Sequence, residues 1–311
     1  MGLSVKMAQV RGQWKLQAAA HRNCDTNRYA RAHRGSKGPG RMRRRSMSNQ
    51  PVRIVGDGGP SVVLLAGGAE SVSDFFPGLV DELVSNRRCR VVLYDRPGVG
   101  SNATPGQLSG ASVALHAMLE TNGFGPAVLI GQSLGGAAAL LLARDYPEDV
   151  AGLVLLDPSL VNDVNLARST ERAARAAAFL CRVPLVEKLF DSQFRSYGAK
   201  LADRRNLSSD DRSAFAQAAA VDIPKLREAV QGLAEIAQDF RESDLPRVPS
   251  AVVTADRKKS SKVFRAHARL AEALGAHLHQ WPGAEHAVHL TNPSEVVDVC
   301  RQVLGEVDLR T

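Results

Sequence analysis

A serine stands between closely spaced glycines in Gly131-Gln132-Ser133-Leu134-Gly135-Gly136. The segment joins an apolar run, Ala127-Val128-Leu129-Ile130, to an Ala-rich stretch reaching Tyr146. A serine on a sharp strand-to-helix turn presents its hydroxyl as a nucleophile. Small residues at 131 and 135 let strand and helix approach closely, and the helix N-terminus favours negative charge beside the serine. An anionic tetrahedral intermediate needs that placement. The competing reading is a glycine-rich turn with a capping serine, and the strand–helix setting favours the nucleophile.

A serine hydroxyl needs a base. Of eight histidines, His116, His267, His277 and His279 fall in probable helices or a strand, and His21 and His33 in the first fifty residues. His286, in Trp281-Pro282-Gly283-Ala284-Glu285-His286, lies in a loop after the last apolar run and is the candidate base. His289 is its rival, with a loop-shaping role as the alternative. The base needs an acid to fix its tautomer. Asp256, after Ser250-Ala251-Val252-Val253-Thr254, is preferred, although it also reads as a solvated strand-end residue beside Arg257, Lys258 and Lys259. Asp157, after the run Val150 to Leu156, is the alternative acid. The order Ser133…Asp256…His286 is one that serine hydrolases use.

These residues must be held by strands and helices in alternation. Val62–Ala66, Arg90–Tyr94, Ala127–Ile130, Val150–Leu156, Ser250–Thr254 and a weaker His277–Trp281 read as strands. Helical stretches at Phe75–Asn86, Ser109–Thr121, Leu134–Tyr146 and Lys262–Leu274 separate them. Uniformly apolar strands alternating with helices predict an α/β fold, a mostly parallel doubly wound sheet with both faces covered. Functional groups then gather at the strands' C-terminal ends. Residues 160–245 break the rhythm and read as a helical insertion, with helices near Leu166–Phe179, Leu185–Phe194, Ser209–Ala220 and Lys225–Glu242. The expected organisation is a basic extension over 1–50, a core over 51–159 and 246–311, and a helical cap over 160–245.

The formal charge of +8 suggests a nucleic-acid partner, but its distribution does not. Residues 1–50 carry twelve Lys/Arg against one acid, Asp25, while the remainder carries 28 bases against 31 acids. The body is therefore mildly acidic and offers no evident phosphate-binding face. The basic stretch reads as a disordered tail: residues ahead of a true start near Met47, an organellar transit peptide, or an arm for acidic partners. Cys24, Cys89, Cys181 and Cys300 form no CxxC pair, so no zinc or dithiol site is expected. No apolar run reaches the ~18 residues of a membrane span. Without a visible export signal, the cytoplasm is the expected location.

Taken together, residues 51 to 307 resemble the α/β-hydrolase superfamily. The resemblance rests on Leu64-Leu65-Ala66-Gly67-Gly68, Asp95-Arg96-Pro97-Gly98-Val99-Gly100-Ser101, the Ser133 turn, Leu155-Leu156-Asp157-Pro158 and Gly283-Ala284-Glu285-His286. It implies an oxyanion hole from the backbone N–H groups of Gly68 and Leu134, and a lid formed by 160–245. It also implies that Asp157 is a common non-catalytic aspartate, favouring Asp256. Two departures stand out: Ala66-Gly67 replaces the family's His-Gly, and the acid loop Thr254-Ala255-Asp256-Arg257 lacks a frequent glycine. The expected activity is hydrolysis of a small-molecule ester or related acyl bond, with neither metal nor organic cofactor. Acyl transfer or perhydrolysis on the same triad, and a non-catalytic ligand-binding homologue, are the alternatives.

Overall fold

The computed structural model describes residues 52–204 and 209–309. The readings of residues 1–50 lie outside the described residues. In chain order the elements are β1 Val52–Val55, β2 Ser61–Leu65, α1 Leu79–Arg87, β3 Arg90–Tyr94, α2 Ala111–Asn122, β4 Ala127–Gln132, α3 Leu134–Asp145 and β5 Val150–Leu156. Then come α4 Val164–Leu180, α5 Pro184–Arg204, α6 Ser209–Ala218, α7 Ile223–Ala229 and α8 Leu233–Asp239. The chain closes with β6 Ser250–Thr254, α9 Lys262–Leu274, β7 His277–Gln280, α10 Val288–Thr291 and α11 Pro293–Asp308.

Seven strands form one sheet in the order β1-β3-β2-β4-β5-β6-β7. Only β1 runs antiparallel, against β3. Alternation along each central strand splits the core in two. Val63, Leu65, Leu129 and Leu155 pack with α2, α3 and α9 on one face. Val62, Leu64, Ile130 and Leu156 pack with α1 and α11 on the other. Both faces are dry, so β2 is apolar at four of its five positions.

β1 was not foreseen: Val-Arg-Ile-Val is short, and its central Arg53 and Ile54 are exposed on the sheet edge. The expected helix Phe75–Asn86 is shorter, because Pro77 and Gly78, at φ 77°, precede a start at Leu79. Among the described residues, five α-helices lie between β5 and β6. The single helix expected over Lys225–Glu242 is two, interrupted at Gly232 with φ 82°. The expected Leu185–Phe194 helix instead runs over the 21 residues of α5.

Candidate active site

Ser133 occupies the turn between β4 and α3 with φ 49° and ψ −115°. A non-glycine residue there is strained by about 1–3 kcal/mol, held by its surroundings. The holding contacts are specific. Ser133 N donates to Leu156 O at 3.1 Å, and Ser133 O accepts from Ala137 N and Ser159 N at 3.0 and 2.9 Å. The flanking glycines permit the approach: a Cβ on Gly131 would lie 2.5 Å from Gly135 O, and one on Gly135 would overlap the Leu65 carbonyl.

His286 follows β7, as expected, and its Nε2 lies 3.0 Å from Ser133 Oγ. Three residues hold its loop. Gln132 Nε2 donates to His286 O at 2.8 Å. One residue earlier, Glu285 N donates to Thr291 Oγ1 at 3.2 Å, while Glu285 Oε2 accepts from Tyr197 Oη at 2.6 Å. That last bond ties α5 of the insertion to the base. Leu201, Phe215 and Ala218 of α5 and α6 also pack on Leu290 just beyond it.

The carboxylate in contact with His286 is Asp157 and not the preferred Asp256. Asp157 Oδ2 lies 2.6 Å from His286 Nδ1. Asp157 is buried and fully occupied: Oδ1 accepts from Ala255 N at 2.9 Å and Oδ2 from Arg257 Nη2 at 2.8 Å. Burial alone raises its pKa, but the bond to His286 and the nearby charges of His286, Arg257 and His267 outweigh that and hold it well below the usual carboxylate range. The physical reason for the Asp157–His286 contact is the strand order. β5 lies between the nucleophile strand and β6, so its C-terminal end is beside Ser133. Asp256 is one strand further on and braces the turn that leads to the base: its Oδ2 accepts from Gly283 N at 2.9 Å and its N donates to Ala284 O at 2.6 Å.

Leu134 follows Ser133 directly, and Gly68 follows Gly67, whose backbone lies against Ser133. Leu134 opens α3, and a first-turn amide has no partner within its own helix. Gly68 has φ 59°. The Gly67 backbone presses on the turn, since a Cβ there would overlap Gln132 Oε1 and sit 3.1 Å from Ser133 Cβ. Ala66-Gly67 is thus compatible with this close approach. Buried Arg96 donates to Gly68 O at 3.4 Å, and burial lowers its pKa to about 10. Asp95 accepts from Val72 N, Ser71 Oγ, Ser101 N and Ser101 Oγ, each at 2.8 Å, pinning together the loops after β2 and β3.

Several supporting residues were not read from sequence. Ser159 Oγ is 3.2 Å from Ser133 Oγ. His267 is buried beside Asp157, with Nδ1 3.0 Å from Thr254 Oγ1 and Nε2 2.9 Å from Pro158 O. Burial lowers its pKa, favouring the neutral ring. His289, the rival base, stacks on Phe75 with centroids 4.6 Å apart and is buried, so burial and nearby His286 push its pKa down to about 3. Leu226 of the insertion reaches over Gly68, 3.8 Å from where a Cβ would stand. Among the described residues there is no group of three His, Cys, Asp or Glu suited to a metal, and no helix long and apolar enough to cross a membrane.

Residues 62–299 match the family model described as the alpha/beta hydrolase family. Lipase LipV of Mycobacterium tuberculosis is 41% identical over 75 residues, 24% of this chain and 29% of the lipase. A 2-hydroxy-6-oxononadienedioate/2-hydroxy-6-oxononatrienedioate hydrolase of Burkholderia vietnamiensis is 31% identical over 141 residues, 43% of this chain and 48% of the relative. These matches span less than half the length of either relative. A thermophilic esterase from Thermogutta terrifontis superposes with a TM-score of 0.63 at 20% identity, covering 82% of this chain and 93% of the esterase.

Proposed function

This chain belongs to the α/β-hydrolase family, and we propose that it is a serine hydrolase acting on small-molecule carboxylic esters or a related acyl bond. The reading rests on one observation: hydrogen-bond distances run unbroken from Ser133 Oγ to His286 Nε2 at 3.0 Å and from His286 Nδ1 to Asp157 Oδ2 at 2.6 Å. A carboxylate accepts only, so His286 carries its proton on Nδ1 and offers the Nε2 lone pair. Ser133 donates its proton to Nε2 and attacks the acyl carbon. The N–H groups of Gly68 and Leu134 stabilise the oxyanion. The imidazolium, balanced by buried Asp157, then protonates the leaving group. Water repeats the sequence, His286 taking its proton and returning one to Ser133 Oγ, and the acid departs. With the Ser133 proton committed to Nε2, the Ser159 hydroxyl is the donor to Ser133 Oγ. It steadies that oxygen when it leaves the acyl group. Residues 160–245 act as the lid, with Leu226 over the oxyanion side.

The test is intact-mass analysis after a fluorophosphonate probe, on wild type and Ser133→Ala. One adduct in wild type and none in the variant is expected, with ester turnover in the variant reduced by at least about 10³-fold. Equal labelling or turnover in both refutes Ser133 as nucleophile.

A further inference from the structure

The described residues expose seven large hydrophobics, and four of them gather where α4 meets α5: Phe179 at the end of α4, Val183 in the turn, and Leu185 and Leu189 in the first turns of α5. Their exposures run from 54% to 69%. Single exposed apolar residues are ordinary on a protein surface, but a clustered set marks an interaction site. Leu185 and Leu189 are one helical turn apart and share a face. By the 3.6-residue period that face is opposite Gly198, Leu201 and Ala202, which α5 buries. The apolar tip therefore points away from the core that the same helix packs against.

Charge identifies the occupant. Between residues 171 and 195 stand Arg172, Arg175, Arg182, Lys188 and Arg195 against Glu171, Glu187 and Asp191; Glu171 accepts from Ala234 N at 3.2 Å and Asp191 pairs with Arg195 at 3.0 Å, which leaves Glu187 against Arg172, Arg175, Arg182 and Lys188. All four cations are exposed. The chain beyond residue 50 is net acidic, so this is a local positive collar on a negative body. Arg182 lies over the Phe179 ring, 5.3 Å from its centroid, so apolar and cationic groups share one surface. Apolar side chains at the tip of a helical turn, with cations whose stems reach back to the rim, fit a bilayer interface with anionic headgroups. A second copy of this chain would bring the same four cations against themselves, which repel.

We propose that the α4–α5 turn is a lipid-docking surface, inserting Phe179, Val183, Leu185 and Leu189 among acyl chains while Arg172, Arg175, Arg182 and Lys188 engage anionic headgroups. The surface lies on the proposed lid, but docking does not depend on which bond the enzyme cleaves. The test is co-sedimentation of the full chain with phosphatidylcholine vesicles, with and without 30 mole per cent phosphatidylglycerol, in ~0.15 M salt, where exposed charge is largely screened beyond ~8 Å. Wild type is compared with Leu185→Ser/Leu189→Ser, with Arg175→Glu/Arg182→Glu, and with Ser133→Ala. All retain residues 1–50, so that basic stretch cancels from the comparison. Wild type and Ser133→Ala should bind the anionic vesicles equally, which separates docking from catalysis. Both surface variants should lose at least about tenfold in partition coefficient, while hydrolysing a soluble ester at the wild-type rate. Equal partition of wild type and both surface variants overturns the proposal, as does equal binding of wild type to both vesicle types. Sedimentation velocity showing a wild-type dimer that Leu185→Ser/Leu189→Ser dissociates, with no vesicle binding, overturns it in favour of self-association.

Discussion

Replacing Asp157 by Asn should separate the two candidate acids. The carboxylate has three donors around it: Ala255 N on Oδ1, and Arg257 Nη2 and His286 Nδ1 on Oδ2. An amide has one acceptor oxygen. If that oxygen faces Ala255, the amide NH₂ faces His286 and drives the proton to Nε2, where it can no longer accept from Ser133. If it faces His286, the NH₂ opposes the Ala255 N–H in a buried site, and the imidazolium loses its counter-charge. Either orientation costs both rate and fold. The expected fall in kcat is about 10³ to 10⁴-fold, or ~4–5.5 kcal/mol of transition-state stabilisation. The buried donor–donor conflict adds ~1–3 kcal/mol of destabilisation. Kinetics should therefore be taken well below the melting temperature of the variant, using a chromogenic ester and the fluorophosphonate labelling rate. Asp256→Asn keeps an acceptor for Gly283 N and should stay within about threefold of wild type. A folded Asp157→Asn with near-wild-type kcat, alongside an inactive Asp256→Asn, would refute the assignment.

Three further outcomes follow from contacts around the site. Tyr197→Phe removes the bond to Glu285 beside the base, and kcat should fall about tenfold, near the worth of a charge-assisted bond, with KM changing less; Tyr197→His, which can still donate, should recover part of it. Gly135→Ala forces a methyl against the Leu65 carbonyl; thermal unfolding should show a loss of ~2 kcal/mol or more, about 4–8 °C. His289, with its folded pKa depressed to about 3, stays neutral while its unfolded counterpart gains a proton below ~6.5. Its contribution is complete above that value and is lost as pH falls towards about 3. Denaturant melts of His289→Phe should therefore lose stability less steeply than wild type between those limits, by up to ~1.4 kcal/mol per pH unit, and equal slopes would refute this.

The Ser133 turn and the His286 loop were legible as positions because each is a local pattern: small residues around Ser133, and a loop after the last strand for His286. The central strands were legible because both of their faces are buried. The choice of acid was not local. Asp157 and Asp256 both end apolar strands, and only the lateral order β4-β5-β6 puts one beside the nucleophile. A signal was present all the same: Arg257, Lys258 and Lys259 follow Asp256, whereas Pro158 follows Asp157 without any charge. Ser159, Gln132, Tyr197 and His267 left no trace in spacing, since each acts through a partner reached by folding. The insertion was legible as helix but not in its bounds. Gly198 within α5 suggests a break, yet it serves a close approach, a Cβ there lying 2.6 Å from the Phe215 carbonyl.

His286 hangs from the periphery of the sheet. β7 is an edge strand of four residues, none of them buried, and His286 follows it on a half-exposed loop. The nucleophile, by contrast, sits on β4, whose six residues are all buried. Stability is not uniform across such a frame, and edges open before centres. On that principle the edge carrying His286 is expected to open before β4, α3 and Ser133, against the bonds from Gln132, Tyr197 and Thr291 that hold it. Activity is then expected to be lost at a lower denaturant concentration than the signal of the central sheet.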